Sequence, residues 1–246
     1  MKSYYLGILL LSSVTGCAES PHSADENVGN TPLQTWAPAP GWAATGALAV
    51  AANDSELALA YVEEQYQNDG QTLASRVLVR RVDPSGRSLG EPTEIAQALP
   101  NGARFTGVAI AGDGRNWLLC WSASATVECY SLDASLGNSR SVYKANGTEP
   151  ALAYQSGHWA LTQLSTETPT EVSLRILPMA PPVSFGPQTG LGASSLLAAT
   201  NNGFAVAAGE PLRLYRFDAA QQQAGAPIDL NIERWCPSHG NVEHES

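Results

Sequence analysis

Small and aliphatic residues alternate into a polar turn, and an apolar residue then restarts the chain, four times over. The four passages are Ala47 to Tyr61, Gly107 to Trp121, Ala151 to Leu164 and Leu196 to Ala208. The turns of the last three carry Asp113-Gly114, Ser156-Gly157 and Asn202-Gly203. Asp-Gly and Asn-Gly supply the positive φ that tight hairpins need. A period of two in the apolar positions marks strands with one buried face. Each passage therefore predicts two antiparallel strands joined by a short turn.

A third alternating run comes after each passage: Val77 to Asp83, Val127 to Asp133, Val172 to Leu177 and Leu212 to Asp218. Three of the four end in Asp and enter a turn, as in Asp83-Pro84-Ser85-Gly86. Weaker fourth strands are predicted at Glu91 to Ile95, Ser139 to Tyr143, Val183 to Phe185 and Pro227 to Leu230. Helix signals are nearly absent. The turn glycines Gly114, Gly157 and Gly203 are spaced by 43 and 46 residues. The first interval, from Ser55 to Gly114, is longer, and the polar stretch Gln65 to Gln71 reads as a loop insertion.

Four short strands per unit of roughly 40–50 residues predict β-propeller blades. The chain resembles the repeats of secreted bacterial β-propeller lipoproteins. Their blades combine an apolar strand, a Gly turn, an aromatic strand and an Arg-x-Asp-x-x-Gly hairpin, here Arg81 to Gly86. The expected fold is all-β, with about four blades of four antiparallel strands over residues 42–234; a β-sandwich of similar strand count is the alternative. Ala is a poor strand former, but small side chains suit inner strands crowded near a propeller axis. Trp117, Trp121, Trp159, Phe204 and Tyr215 recur at equivalent positions, which predicts packing between blades. Two closures fit four blades. One is a four-bladed ring, with residues 33–46 adding a closing strand. The other is a shortened relative of a longer propeller, whose open edge needs a partner.

The N-terminus reads differently. Lys2 precedes the apolar run Leu6 to Leu11, which is too short to span a bilayer as a helix. The run ends in Val14-Thr15-Gly16-Cys17, which resembles the lipobox of bacterial lipoproteins. The resemblance implies a signal peptide over 1–16, cleavage after Gly16 and lipid on Cys17. The partner is then a membrane, reached through that lipid, in the bacterial cell envelope. Ala18, where an Asp often signals inner-membrane retention, favours the outer membrane, on its periplasmic or surface face. Residues 17–41 form an expected tether. The stretch from Ala18 to Pro32 carries almost no apolar side chains, and Pro32, Pro38 and Pro40 stiffen the remainder. Residues 235–246 depart from the repeat and read as a disordered tail.

Composition narrows the partners. Thirteen basic residues against 23 acidic ones give a net charge of −10, and the only lysines are Lys2 and Lys144. Nucleic acid and anionic membrane surfaces need a basic footprint that this chain lacks. Four cysteines divide into an anchor (Cys17), a pair on consecutive strands (Cys120 and Cys129) and Cys236. If the hairpin turns at Ser124-Ala125, Cys120 lies opposite Cys129. In an oxidising compartment that placement predicts a disulfide.

Motifs that carry chemistry are mostly missing. No Gly-x-Ser-x-Gly elbow occurs. Cys236, His239, Glu243 and His244 match no standard zinc spacing. Asn68-Asp69-Gly70 and Asp113-Gly114 are turn formers without the ligand periodicity of a calcium loop. Ala111 to Trp117 has a superficial likeness to the structural Asp-boxes of sialidase-like propellers, and occurs once. His158 reads as a hairpin residue. No catalytic residue, cofactor or metal is assigned. Glu63, Glu64, Asp69, Glu128 and Asp133 are the acids available for paired carboxylate chemistry. Two functions are weighed: a lipid-anchored propeller that binds or scaffolds, with a protein or carbohydrate ligand, and an envelope hydrolase acting on carbohydrate. Three or more acids in a central pocket favour the hydrolase, whereas a flat or aromatic-lined mouth favours binding.

Overall fold

A computed structural model describes residues 41–66, 72–98, 104–166, 171–177, 181–187, 195–209 and 211–230. Cys17, the tether up to residue 40, Asp69, Cys236 and the tail lie outside the described residues. Among the described residues, sixteen strands form four sheets. Blade 1 holds β1 (Ala43–Ala52), β2 (Leu57–Tyr66), β3 (Thr72–Val82) and β4 (Thr93–Ala98). Blade 2 holds β5 (Phe105–Gly112), β6 (Trp117–Ala123), β7 (Thr126–Leu132) and β8 (Ser139–Asn146). Blade 3 holds β9 (Thr148–Gln155), β10 (His158–Leu164), β11 (Glu171–Leu177) and β12 (Val183–Pro187). Blade 4 holds β13 (Leu196–Thr200), β14 (Gly203–Ala208), β15 (Arg213–Asp218) and β16 (Ile228–Asp229).

Within each sheet the strands run in chain order, each antiparallel to the next. The core lies between successive sheets. One apolar layer joins blades 1 and 2 through Ala58, Ala60, Val62, Phe105, Trp117 and Trp121. A second joins blades 2 and 3 through Leu118, Cys120, Cys129, Leu152 and Leu161. A third joins blades 3 and 4 through Ala160, Leu174, Phe204 and Val206. The inner strands neighbour one another in series, β1 beside β5, β5 beside β9 and β9 beside β13. That serial stacking is a β-propeller. It excludes the sandwich, in which one core lies between two sheets. Trp159 departs from its equivalents Trp117 and Phe204. It is half-buried and stacks against Tyr154 at 4.7 Å, whereas the other two are fully enclosed.

The repeated Asp at the end of the third strand has a local cause. The Asp83 carboxylate accepts hydrogen bonds from the Ser85 N–H, the Ser85 hydroxyl and the Arg87 N–H. Asp133 accepts from the same kinds of group on Ser135 and from the Gly137 N–H. Asp218 accepts from the Ala220 and Gln222 N–H groups. Each carboxylate thus pairs backbone donors that the turn leaves without strand partners. On the other side of blade 2, β6 turns into β7 at Ser124 and Ala125 with φ of 46° and 63°, a two-residue primed turn made without glycine. The register sets Cys120 opposite Cys129, and the two are disulfide-bonded.

Gly203 opens β14 at φ +153°, and a Cβ built there would lie 2.1 Å from the Phe217 carbonyl oxygen. Gly203→Ala is therefore expected to cost about 1–3 kcal/mol, from strain at a special backbone position plus a forced shift of β15. Urea denaturation of the variant checks this, and an unchanged midpoint with an unchanged slope would contradict it.

Candidate functional site

Buried polar side chains gather at one end of the blades. Among the described residues Glu63, Glu64, Ser75, Ser122, Thr162, Gln163 and Ser195 are buried there, where inner strands begin and second strands finish. Glu56 and Gln221 are buried at the opposite end. A buried polar group must be hydrogen-bonded to be tolerated, and here the bonds clasp neighbouring blades. The hydroxyls of Thr162 and Ser195 lie 2.8 Å apart across blades 3 and 4. Tyr143 donates to Gln163 at 3.1 Å, and Gln163 donates to the Asn146 carbonyl at 2.7 Å, across blades 2 and 3.

The clasp between blades 1 and 2 is ionic. On β2, Ala58, Ala60 and Val62 face blade 2, and the two-residue period carries Glu64 onto the same face. Arg104 sits just before β5. Its Nε and Nη2 donate to the two Glu64 carboxylate oxygens at 3.0 and 2.6 Å. The Tyr66 hydroxyl donates to the same carboxylate at 2.5 Å. Burial pushes the Glu64 carboxyl up, but the hydrogen bonds from Arg104 and Tyr66 and the guanidinium charge outweigh it. The net displacement is downward, so the group is held ionised. Accepting that bond in turn makes Glu64 raise the Tyr66 phenol above its ordinary value.

A depressed carboxyl contributes stability that is present above its unfolded value and lost as pH falls through its folded value. Unfolding measured from pH 7 downward should show stability declining below about pH 4.5. Glu64→Gln should flatten that part of the profile, and an identical slope in the variant would contradict the assignment.

Glu63 points to the other face of blade 1. Arg76 donates to it through Nε at 3.0 Å and Nη2 at 2.6 Å, and reaches Glu94 at 3.4 Å. The Arg76 guanidinium lies 4.1 Å over the Trp42 ring.

Two recesses flank Phe105 between blades 1 and 2. The inner one, about 540 Å³, is lined by Thr45, Glu64, Tyr66, Arg104, Phe105 and Thr106. The outer one, about 550 Å³, is lined by Gln97, Phe105, Trp121, Thr126, Glu128 and Tyr130. Trp121 meets Phe105 edge-on at 6.2 Å and stacks on Tyr130 at 4.8 Å. Glu128 is ion-paired with Lys144 on β8.

The acids singled out in the sequence therefore separate. Glu64 and Glu128 line neighbouring recesses. Glu63 lies behind β2 on the opposite face, Asp133 caps a turn at the far end of β7, and Asp69 is outside the described residues. The Asp113 carboxylate is taken up by the N–H groups of Arg115 and Asn116 in its own turn. His158 is exposed in its hairpin. Among the described residues no three His, Cys, Asp or Glu side chains come together as a metal-ligand set. Arg104, Arg76 and Tyr66 had no distinguishing pattern in the sequence. Arg104 stands in an irregular connection, and only the meeting of two blades gives it a role. The signal that could have pointed here is Glu64, an acid in register with Ala58, Ala60 and Val62 on an otherwise apolar strand face.

No protein-family model matches the sequence, and neither does any curated protein sequence. Similarity emerges at the level of solved structures. A neuraminidase-like protein from A/bat/Guatemala/164/2009 aligns with a TM-score of 0.50 at 11% identity, over 76% of this chain and 62% of that one. An exo-β-1,3-galactanase from Phanerochaete chrysosporium aligns with a TM-score of 0.47 at 14% identity, over 78% of this chain and 49% of that one. A GH43 enzyme from Xanthomonas citri, complexed with xylose, aligns with a TM-score of 0.46 at 12% identity, over 73% and 71%. The chain spans about half the length of the galactanase and under two thirds of the neuraminidase-like protein. The likeness is one of β-propeller fold.

Proposed function

We propose that this chain is a carbohydrate-recognising β-propeller, tethered to the bacterial envelope by lipid on Cys17. The observation that carries the reading is the groove divided by Phe105. On one side stand a fixed carboxylate, guanidinium and phenol (Glu64, Arg104, Tyr66); on the other stand stacked aromatics with Glu128 and Gln97. Sugars present vicinal hydroxyls, each both donor and acceptor, and apolar C–H faces. Planar charged groups in fixed geometry match the hydroxyls, and aromatic rims match the C–H faces. Preorganisation by the clasp lowers the entropy lost on binding.

Hydrolysis is the second reading, favoured by the two carboxylates in adjacent recesses. A glycosidase needs one carboxyl that keeps its proton and one that does not. Glu64, held ionised by Arg104, fits the charged partner and not the proton donor, and Glu128, ion-paired with Lys144, is the other carboxyl the groove offers. The test uses the chain from Cys17 onward against a panel of neutral and acidic oligosaccharides, reading binding by calorimetry and turnover by released reducing ends. Saturable binding weakened at least tenfold by Arg104→Ala supports recognition. Turnover lost in Glu128→Gln with binding retained supports hydrolysis. Absence of both binding and turnover across the panel removes the carbohydrate reading. Labelling with a radioactive fatty acid in cells, compared with Cys17→Ala, tests the anchor separately.

A further inference from the structure

The groove around Phe105 contains charged groups that cancel one another. Among the described residues, those lining its two recesses with a full charge are Glu64, Arg104 and Glu128. Glu64 meets Arg104 through both carboxylate oxygens, and Glu128 is ion-paired with Lys144 on the neighbouring strand. The two members of the inner pair are placed differently. The Glu64 side chain is 2% exposed, whereas that of Arg104 is 57% exposed. Both Glu64 oxygens are occupied, one by Arg104 Nε and the other by Arg104 Nη2 and the Tyr66 hydroxyl. A guanidinium carries five N–H donors in a planar fork. Glu64 takes the Nε–Nη2 edge, so the Nη1–Nη2 edge is the one left to the recess. The recess is thus offered donors in fixed positions, with their charge cancelled from behind. Thr45 and Thr106 line it beside them.

We infer that this groove selects neutral saccharides over acidic ones, and that the buried Glu64 sets the selection by cancelling the charge of Arg104. The inference rests on the carbohydrate reading and narrows its ligand class. A sugar hydroxyl needs a donor fixed in place, and it sheds its water at modest cost when that donor meets it. A uronate carboxylate loses far more hydration and needs net positive charge to offset the loss. Here it would share one guanidinium with Glu64, and like charges at one site repel. The surroundings add to the effect. Glu94 precedes Ile95, which lines the outer recess, and Arg76 is divided between Glu94 and Glu63, one positive charge against two negative. The whole chain carries a net charge of −10, and a field of that sign repels anions.

The experiment measures dissociation constants by calorimetry for the chain from Cys17 onward. The probes are trisaccharides of glucose, galactose and mannose and those of the corresponding uronic acids, which differ in a hydroxymethyl against a carboxylate. The expected result is a neutral trisaccharide bound at least tenfold tighter than its uronic acid counterpart. Raising salt from about 20 mM to about 500 mM should narrow that ratio, because screening weakens the repulsion. Glu64→Gln keeps the side-chain shape and leaves Arg104 charged without a counter-ion, so the ratio should fall at least fivefold. Circular dichroism checks that this variant keeps the strand content of the parent; if it does not, the salt dependence of the parent decides alone. Acidic and neutral trisaccharides bound equally well overturn the inference and leave the carbohydrate reading standing. So does a ratio that fails to narrow with salt, or a folded Glu64→Gln variant with the ratio of the parent. Binding of neither class removes the inference and the carbohydrate reading together.

Discussion

Trp117→Ala should destabilise the protein by about 3–5 kcal/mol, the range for removing a fully buried large aromatic from a core. Trp117 opens β6, has no exposed surface and packs in the layer between blades 1 and 2. Loss of the ring leaves a cavity that rigid sheets on both sides cannot close. For a domain of this length, each kcal/mol lowers the melting temperature by about 2–4 °C, so a drop of roughly 10 °C is expected. The indole Nε1 is buried and meets no hydrogen-bond acceptor among the described residues. Leaving such a donor unpaired costs about 1–3 kcal/mol. Trp117→Phe discards that donor while keeping most of the ring, so its cost should stay below about 2 kcal/mol. Calorimetry of both variants separates the two contributions. If phenylalanine is as damaging as alanine, the indole N–H makes a stabilising hydrogen bond after all.

Replacing both Cys120 and Cys129 by alanine should cost about 2–3 kcal/mol. The bond closes a short loop, with a sequence separation of 9, so the entropy it removes from the unfolded chain is modest. Both sulfurs are fully buried in the layer between blades 2 and 3. That burial has two consequences. Serine in both positions should be worse than alanine, because it buries two hydroxyls in an apolar layer. Reductant added to the native protein should leave the bond intact at low temperature, because attack on a sulfur needs access. Thiol labelling after reduction, with and without prior unfolding, gives the readout. Labelling of the native chain at the rate seen for the unfolded chain would show that blades 2 and 3 part readily.

How far the fold was legible depends on the range of the interaction concerned. The alternation in Ala47 to Tyr61, the Asp113-Gly114 and Asn202-Gly203 turns and the Asp ending of three third strands act within a few residues, and they led to sixteen strands in four sheets. Boundaries moved where pairing extended past the pattern. The third strand of blade 1 begins at Thr72, five residues before the apolar run at Val77, because β2 continues as a polar strand to Tyr66 and holds it in register. Its fourth strand begins at Thr93, beyond Pro92, which has no N–H to donate to the ladder.

The site was less legible. Glu63 and Glu64 stood out as adjacent acids, yet the strand period sends them to opposite faces of blade 1. Each is matched to an arginine that no local pattern marks, Arg76 across the sheet and Arg104 across the blade boundary. Asp133 stands with Glu128 among the available acids, but it follows the other end of the same strand and is taken up by its own turn. Period, turn chemistry and repeat length are local or regular, so the order of residues by itself determined the strands, the hairpins, the repeat and the all-β class. Which blade faces are covered, which acids meet which cations, and where two recesses share Phe105 depend on contacts between residues tens of positions apart. Only the packing of one sheet on the next decided those, because a pairing such as Glu64 with Arg104 exists only once blades 1 and 2 have met.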